Sequence, residues 1–85
     1  MTAQEFDILD ELYFVTSFTE LTASLNLKEE DLIQNLKTLL DKGYVKSYFP
    51  NPDAEHLLVA EKFEEEVRKC YFLASKAGLL AHNIR

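Results

Sequence analysis

The chain has 85 residues, of which 47% are hydrophobic and 28% charged, with two Gly and two Pro. This is the composition of one small globular domain rather than of a disordered or fibrous protein. The longest apolar runs last only a few residues, so the sequence predicts no membrane span. The N-terminus lacks the basic and apolar regions of a secretory signal, and a single cysteine excludes an internal disulfide. We therefore expect a single domain over residues 1–85, located in the cytoplasm.

The negative charge is concentrated near the N-terminus. Residues 1–27 carry five acidic residues and no Lys or Arg, whereas residues 28–85 carry nine basic and ten acidic residues, and the whole chain has a net charge of −6. An acidic segment repels the phosphate backbone at long range. Any contact with nucleic acid is therefore expected from residues 28–85.

A capping box predicts the first helix. Thr2 is followed three residues later by Glu5, and in this motif each side chain accepts a hydrogen bond from the backbone N–H of the other residue. Apolar residues then recur at three- and four-residue spacing as far as Tyr13. We expect this helix over residues 3–15.

A second capping box, formed by Ser17 and Glu20, predicts a short helix over residues 18–25. The β-branched and small residues before it interrupt the helical period of the first helix. Asn26 follows the short helix, and because its side chain tolerates a positive φ, we expect it in a left-handed, tight turn.

The strongest helical pattern lies over residues 28–42. A stripe of leucines that includes Leu36 repeats at helical spacing, and the acidic first turn suits the helix dipole. Gly43 stands where glycine commonly ends a helix. The aromatic and β-branched run over residues 44–49 then predicts a strand.

The second half of the chain predicts a helix, a strand and a terminal helix. The Asn-Pro-Asp sequence at residues 51–53 fits the cap and first positions of a helix, which we expect over residues 53–66. Residues 68–74 have the composition of a strand and are expected to pair antiparallel with residues 44–49. Ser75 is expected to cap a short final helix.

No pattern in the chain predicts catalysis. His56 and His82 lack any neighbouring motif, and Gly43 and Gly78 stand alone rather than in a phosphate-binding loop. Cys70 lies in an alternating apolar run, where a buried, reduced thiol is commonplace. We expect no enzyme activity, no cofactor and no metal site.

The order of these elements carries a family pattern. A helix, a short capped helix, a tight turn and a third helix are followed by Leu-x-x-Gly-aromatic-Val, a strand, and a late Tyr-x-Leu-x-x-x-x-Gly. In this order the chain resembles the winged helix-turn-helix domains of bacterial transcription regulators. The resemblance implies an α+β fold with a three-helix bundle and a β-hairpin wing. The residue pattern adds to it a helical insertion between the wing strands and a short C-terminal helix. It covers nearly the whole chain except residues 50–67, and it rests on residues 18–21, 25–27, Leu32, Leu36, 39–45 and 71–78.

The resemblance also implies a function. In that family the third helix enters the major groove and the wing follows the DNA backbone, so helix 28–42 is expected to bind duplex DNA, with the protein acting as a dimer. Asn and Gln can pair with adenine, and basic side chains contact phosphate. The candidates for DNA contact are Gln34, Asn35, Lys37, Thr38, Lys42, Lys46, Arg68 and Lys69.

Several residues depart from the family pattern. Three acids at positions 29–31 stand where phosphate oxygens would approach the third helix. The usual basic wing is replaced by the Pro-Asn-Pro-Asp sequence at residues 50–53. Ile33 and Leu40 add a second apolar edge to the third helix, which either helix 53–66 or a partner protein is expected to cover.

Two functional hypotheses follow from the sequence. The one favoured is a transcription-regulator-like module that binds duplex DNA. The alternative is a winged-helix module that contacts proteins and does not bind DNA, and the candidate residues for a partner or homodimer interface are Ile33, Leu40, Leu79 and Leu80. A continuous basic surface would favour DNA, whereas an interrupted one would favour protein; the residues that decide between them are Lys37, Lys42, Lys46, Arg68 and Lys69.

Overall fold

A computed structural model describes residues 1–84 as an α+β domain, which confirms the α+β class of the prediction. The helices are α1 (Ala3–Glu11), α2 (Phe18–Ser24), α3 (Glu29–Asp41), α4 (Phe63–Glu66) and α5 (Lys76–Asn83). The strands are β1 (Thr16–Ser17), β2 (Val45–Tyr48) and β3 (Tyr71–Ala74). Two 3₁₀ turns, Ala60–Lys62 and Val67–Lys69, flank α4.

Both predicted capping boxes are present. The Glu5 N–H donates to Thr2 Oγ1 at 3.1 Å, and the Thr2 N–H donates to Glu5 Oε1 at 2.7 Å. Ser17 and Glu20 make the same reciprocal pair of bonds, at 3.0 and 2.9 Å. Each box gives partners to backbone N–H groups that a helix start leaves unpaired.

The first helix is shorter than predicted, because α1 ends at Glu11 rather than at residue 15. The carbonyl of Leu12 accepts a hydrogen bond from the Ala74 N–H at 2.9 Å, and the chain then enters β1, which pairs with β3. Pairing with β3 satisfies backbone groups that a longer helix would have bonded internally. The sheet therefore competes successfully with the end of the helix.

The turn before α3 also differs from its prediction. Within residues 1–84 only Gly43 has a positive φ, at 74°, so Asn26 is not in a left-handed conformation. Leu25 is extended, and α3 begins at Glu29 after Lys28, which makes no side-chain cap bond. Lysine has no acceptor to offer a helix start. The acidic first turn interacts favourably with the helix dipole at that end instead.

β3 is the central strand of the antiparallel sheet, with the order β1-β3-β2. The predicted pairing of residues 44–49 with about 69–74 is confirmed, because β2 and β3 align over their full lengths. The strand begins at Tyr71 rather than at residue 68, since Val67–Lys69 forms a 3₁₀ turn. Ser75 caps α5 as predicted, with its Oγ accepting from the Gly78 N–H at 3.1 Å.

The helix predicted over residues 53–66 is wrong in its first half. The Asn51 side chain does accept a hydrogen bond from the Asp53 N–H at 2.9 Å, as a cap would. No helix follows it, and helical structure begins only at Ala60. The segment over residues 53–59 is a turn and an extended stretch.

The outer edge of β2 explains this difference. The Phe49 N–H donates to the Ala54 carbonyl at 2.8 Å, and the His56 N–H donates to the Ser47 carbonyl at 2.9 Å. Residues 54–56 thus run back along β2 and occupy an edge that would otherwise present unpaired backbone groups. Sheet pairing supplied by the tertiary structure overrides the local helix signal.

The core draws side chains from helices α1 to α4 and from the inner face of the sheet, and Leu79 of α5 packs against it while partly buried. Its fully buried large residues are Ile8, Leu9, Leu12, Leu21, Leu32, Leu36, Leu39, Val67, Cys70 and Phe72. No helix within residues 1–84 is both long enough and apolar enough to span a bilayer.

Cys70 is buried, as predicted, but it lies just before β3 rather than within a strand. Its burial leads to a testable expectation. Its Sγ donates to the Glu66 carbonyl at 3.3 Å, and burial raises the pKa of the thiol to about 11, with the Glu66 charge acting in the same direction. Because the thiolate is the reactive form, we expect a thiol reagent at neutral pH to label folded protein far more slowly than protein in denaturant. Equal labelling rates in the two conditions would contradict the burial.

Candidate interaction surface of helix α3

The buried face of α3 is wider than one stripe of leucines. Ile33 is only 6% exposed and belongs to the same core cluster as Leu36, together with Phe63 from α4. Ile33 therefore packs inside the domain, so the structure offers no exposed Ile33 side chain to the predicted interface. The physical reason is that the chain itself covers the second apolar edge of α3.

The solvent-exposed face of α3 is acidic. Apart from Glu29, which is ion-paired, its exposed residues are Glu30, Asp31, Gln34, Lys37 and Asp41. Three acids and one base give this face a net charge of −2. Phosphate oxygens approaching it would meet repulsion rather than attraction.

Two polar residues predicted to contact bases have partners within the chain. Asn35 Nδ2 donates to Gln4 Oε1 at 2.9 Å and to the Asp31 carbonyl at 2.8 Å, which uses both of its amide hydrogens. The Thr38 hydroxyl donates to the Gln34 carbonyl at 3.1 Å. Contact between Asn35 and a base would therefore first have to break these bonds.

Lys42 is the counterion of a buried carboxylate. Its Nζ lies 3.4 Å from Glu5 Oε2 and 5.9 Å from the centre of the Tyr44 ring. Burial by itself would raise the pKa of Glu5, but hydrogen bonds with Thr2 and the positive charge of Lys42 outweigh it, so the pKa is lowered. Glu5 is therefore ionised at neutral pH, and Lys42 is held beside it.

Arg68 links the insertion, the segment over residues 49–70 that connects β2 to β3, to the start of α3. Its Nε donates to Glu29 Oε1 at 2.6 Å, and its Nη1 donates to the Glu64 carbonyl at 2.8 Å. Both charged side chains are about half exposed, and ion pairs of this kind typically stabilise a protein by about 0–1 kcal/mol. The main consequence of this ion pair is electrostatic rather than energetic, because Glu29 neutralises a base that was predicted to contact DNA.

The remaining bases are distributed over different faces. Lys46 is exposed between the buried residues Val45 and Ser47, so it lies on the side of the sheet turned away from the core. Lys69 is exposed in the 3₁₀ turn before β3, and Lys37 lies on α3. The structure does not bring the predicted basic residues together into one continuous positive surface.

A groove separates α3 from the insertion, and we call it the insertion groove. It is a cavity of about 160 Å³ lined by Lys37, Leu40, Asp41, Leu57, Leu58, Ala60 and Phe63. The side chain of Leu57 at its edge is 83% exposed. Leu40 of α3, predicted as an interface residue, is half-buried in this groove. The residues of the insertion that line the groove were not predicted as interface residues. The apolar run Leu57-Leu58-Val59 was the available signal, but the sequence interpretation counted Leu57 in the apolar spacing of the predicted helix over residues 53–66.

The predicted interface residues do not form one exposed surface. Leu79 packs partly against the core, and Leu80 is exposed on α5, whereas Ile33 is buried and Leu40 lines the insertion groove.

Both histidines have partners inside the domain. His82 Nδ1 lies 2.9 Å from the Tyr13 hydroxyl and its Nε2 lies 3.4 Å from Asp10, while His56 Nε2 lies 3.1 Å from Glu66. In the part of the chain that the structure describes, no group of three or more His, Cys, Asp or Glu side chains is arranged to hold a metal ion.

Comparisons with known proteins give no relative: no family model matches the chain, and neither the curated proteins nor the solved structures yield a match. The surfaces of the molecule must therefore carry the functional argument.

Proposed function

We propose that this chain is a winged-helix module that makes contacts with another protein and does not bind duplex DNA. It is the second of the two hypotheses that the sequence left open. A location in the cytoplasm and the absence of enzyme activity remain predictions.

The order and pairing of the elements support the winged-helix part of the proposal. Three helices precede the two longer strands, and β2 and β3 pair antiparallel as the two strands of a hairpin wing would. The connection between them is not a basic loop. It folds back along β2 and then along α3, which leaves no projecting wing to follow a DNA backbone.

The position of the insertion beside α3 is the main observation in favour of protein contact over DNA binding. The insertion contacts the helix at two places, with Leu57 and Phe63 facing Leu40 across the insertion groove and Arg68 bonded to Glu29. A recognition helix must present one long side to the major groove. Here one flank of α3 is occupied, and the side that remains exposed is acidic.

A DNA titration tests this proposal. We expect no saturable binding of duplex DNA to the wild-type protein at low salt, because the exposed face of α3 repels phosphate. The double variant Glu30→Gln/Asp31→Asn removes two of the repelling charges and keeps the Glu29–Arg68 pair, and it is also expected not to bind. A variant in which Glu30, Asp31 and Asp41 are all replaced by Lys provides the positive control for electrostatic attraction.

The opposite outcome has a clear signature. If the wild-type protein used about four basic residues to neutralise phosphates, log K would fall against log salt with a slope near −3.6, from ~0.9 per phosphate. Such binding, strengthened in the double variant, would overturn the proposal and restore the DNA-binding hypothesis.

A further inference from the structure

The insertion groove has the size of a site for one anchoring side chain. Its cavity of about 160 Å³ is lined mainly by Leu40, Leu57, Leu58 and Phe63. A cavity of ~150 Å³ with apolar walls is large enough to take a benzene ring. The insertion groove therefore has room for a branched aliphatic or aromatic side chain from outside.

The rim of the groove leaves apolar surface in water. Leu57 is 83% exposed, and Val59, two residues further along, is exposed as well. Burying a leucine side chain is favourable, and the fold leaves this one in water. Exposed apolar side chains beside a cavity are typical of a binding surface.

The charges around the groove indicate the sign of the charge expected on the partner. Lys37 and Asp41, one base and one acid, both line the groove, and the exposed acids Glu61, Glu64 and Glu65 are close to Phe63 in the sequence of the insertion. Against these four acids there are two exposed bases, Lys37 and Lys62. The surroundings are net negative and complement a positively charged partner.

The same charges argue against a second copy of this chain as the occupant. Two copies joined at the groove would bring two acidic rims together, and each chain carries a net charge of −6. Like charges placed across an interface oppose association. A different, basic partner meets no such opposition.

We propose that the insertion groove binds a basic amphipathic segment of another protein, with an aliphatic or aromatic anchor in the cavity and flanking Lys or Arg on the acidic rim. Amphipathic helices bind apolar grooves by this kind of anchoring. The inference rests on the proposed function, to which it adds the site and the chemistry of the partner.

The test uses a synthetic peptide of leucine and lysine patterned as an amphipathic helix, titrated into isotopically labelled protein. We expect the largest amide shifts over residues 37–41 and 57–63. Leu57→Ser should weaken binding about tenfold, because it removes apolar contact at the rim. Leu57 is almost fully exposed, so this substitution should leave the fold intact, and an unchanged amide spectrum away from the groove verifies that.

Two controls separate this site from general attraction to an acidic protein. Ile84→Ser removes an equally exposed aliphatic side chain, 77% exposed, at the end of α5, and should not change the affinity. A peptide with every lysine replaced by glutamate should not bind.

Three results would overturn the groove proposal: equal affinity of wild type and Leu57→Ser, shifts centred away from the groove, or sedimentation showing a dimer that Leu57→Ser abolishes. The last result would make a second copy the occupant. If the protein gives any of these results and does not bind DNA, the groove proposal is refuted and the proposed function stands. If it binds DNA in the titration described above, the proposed function itself is refuted.

Discussion

Replacing Leu36 by Ala is expected to lower the free energy of unfolding by roughly 2–5 kcal/mol, the usual cost of truncating a large buried side chain. Leu36 is fully buried on the inner face of α3 and belongs to the core cluster shared by the helices and the sheet. The loss combines the transfer free energy of the removed groups with the cavity that they leave. Denaturant unfolding followed by circular dichroism measures it.

Leu80→Ala is the matched control for this experiment. It removes the same groups from an exposed position on α5, and surface substitutions of this kind usually change stability by about 0.5 kcal/mol or less. A loss below about 1 kcal/mol for Leu36→Ala would show that the core does not depend on this face of α3.

Gly78→Ala is expected to destabilise the protein by about 3 kcal/mol, at the upper end of the range for overpacking. A Cβ on Gly78 would overlap the Tyr44 carbonyl oxygen and stand 2.9 Å from its carbonyl carbon. That carbonyl accepts a hydrogen bond from the Ser75 N–H at 2.9 Å, so it cannot move away without losing a partner. In an open helix alanine would instead be favoured over glycine by about 1 kcal/mol. The steric overlap therefore makes the substitution destabilising, whereas helix propensity alone would make it stabilising.

The second glycine provides the comparison. Gly43 has a φ of 74° but no atom near the position of its missing Cβ, so Gly43→Ala should cost only the conformational penalty of about 1–2 kcal/mol. Thermal unfolding of the two variants ranks the effects. A Gly78→Ala variant as stable as wild type would mean that α5 does not pack closely on the turn before β2.

The contact at Gly78 is part of the junction between α5 and the turn that connects α3 to β2. The Ser75 hydroxyl donates to the Gly43 carbonyl, and the Ser75 N–H donates to the Tyr44 carbonyl, so the start of α5 is bonded to the turn that ends α3. This junction holds α3 and the sheet in one unit. The C-terminal end of α3 is therefore fixed relative to the sheet and to α5 by these hydrogen bonds.

Two of the predicted DNA-contacting bases are already paired with acids inside the domain. Read as separate residues, Lys42 and Arg68 are compatible with phosphate contact. In the folded chain Lys42 lies beside the buried carboxylate of Glu5, and Arg68 is bonded to Glu29. Both acids are distant from their partners in sequence, so no local pattern could reveal that these bases are already paired.

Local signals were sufficient where the decisive interactions are local. The capping boxes at Thr2 and Ser17, the helix end at Gly43 and the cap at Ser75 join residues at most a few positions apart. The β2–β3 pairing was also predictable, because two short aromatic and β-branched segments of similar length must pair to satisfy their backbones.

Tertiary structure decided the rest, since long-range partners compete with local ones for the same backbone groups and apolar surfaces. The sequence by itself determined where α1, α2 and α5 begin, the leucine stripe and acidic start of α3, and the pairing of β2 with β3. The free edge of β2 turned residues 54–56 into a sheet extension, and the pairing of β1 with β3 ended α1 early. Folding buried Ile33 in the core and left Leu57 in solvent. A helical spacing of apolar residues is compatible with either outcome, because it specifies a face but not which neighbour, if any, will cover it.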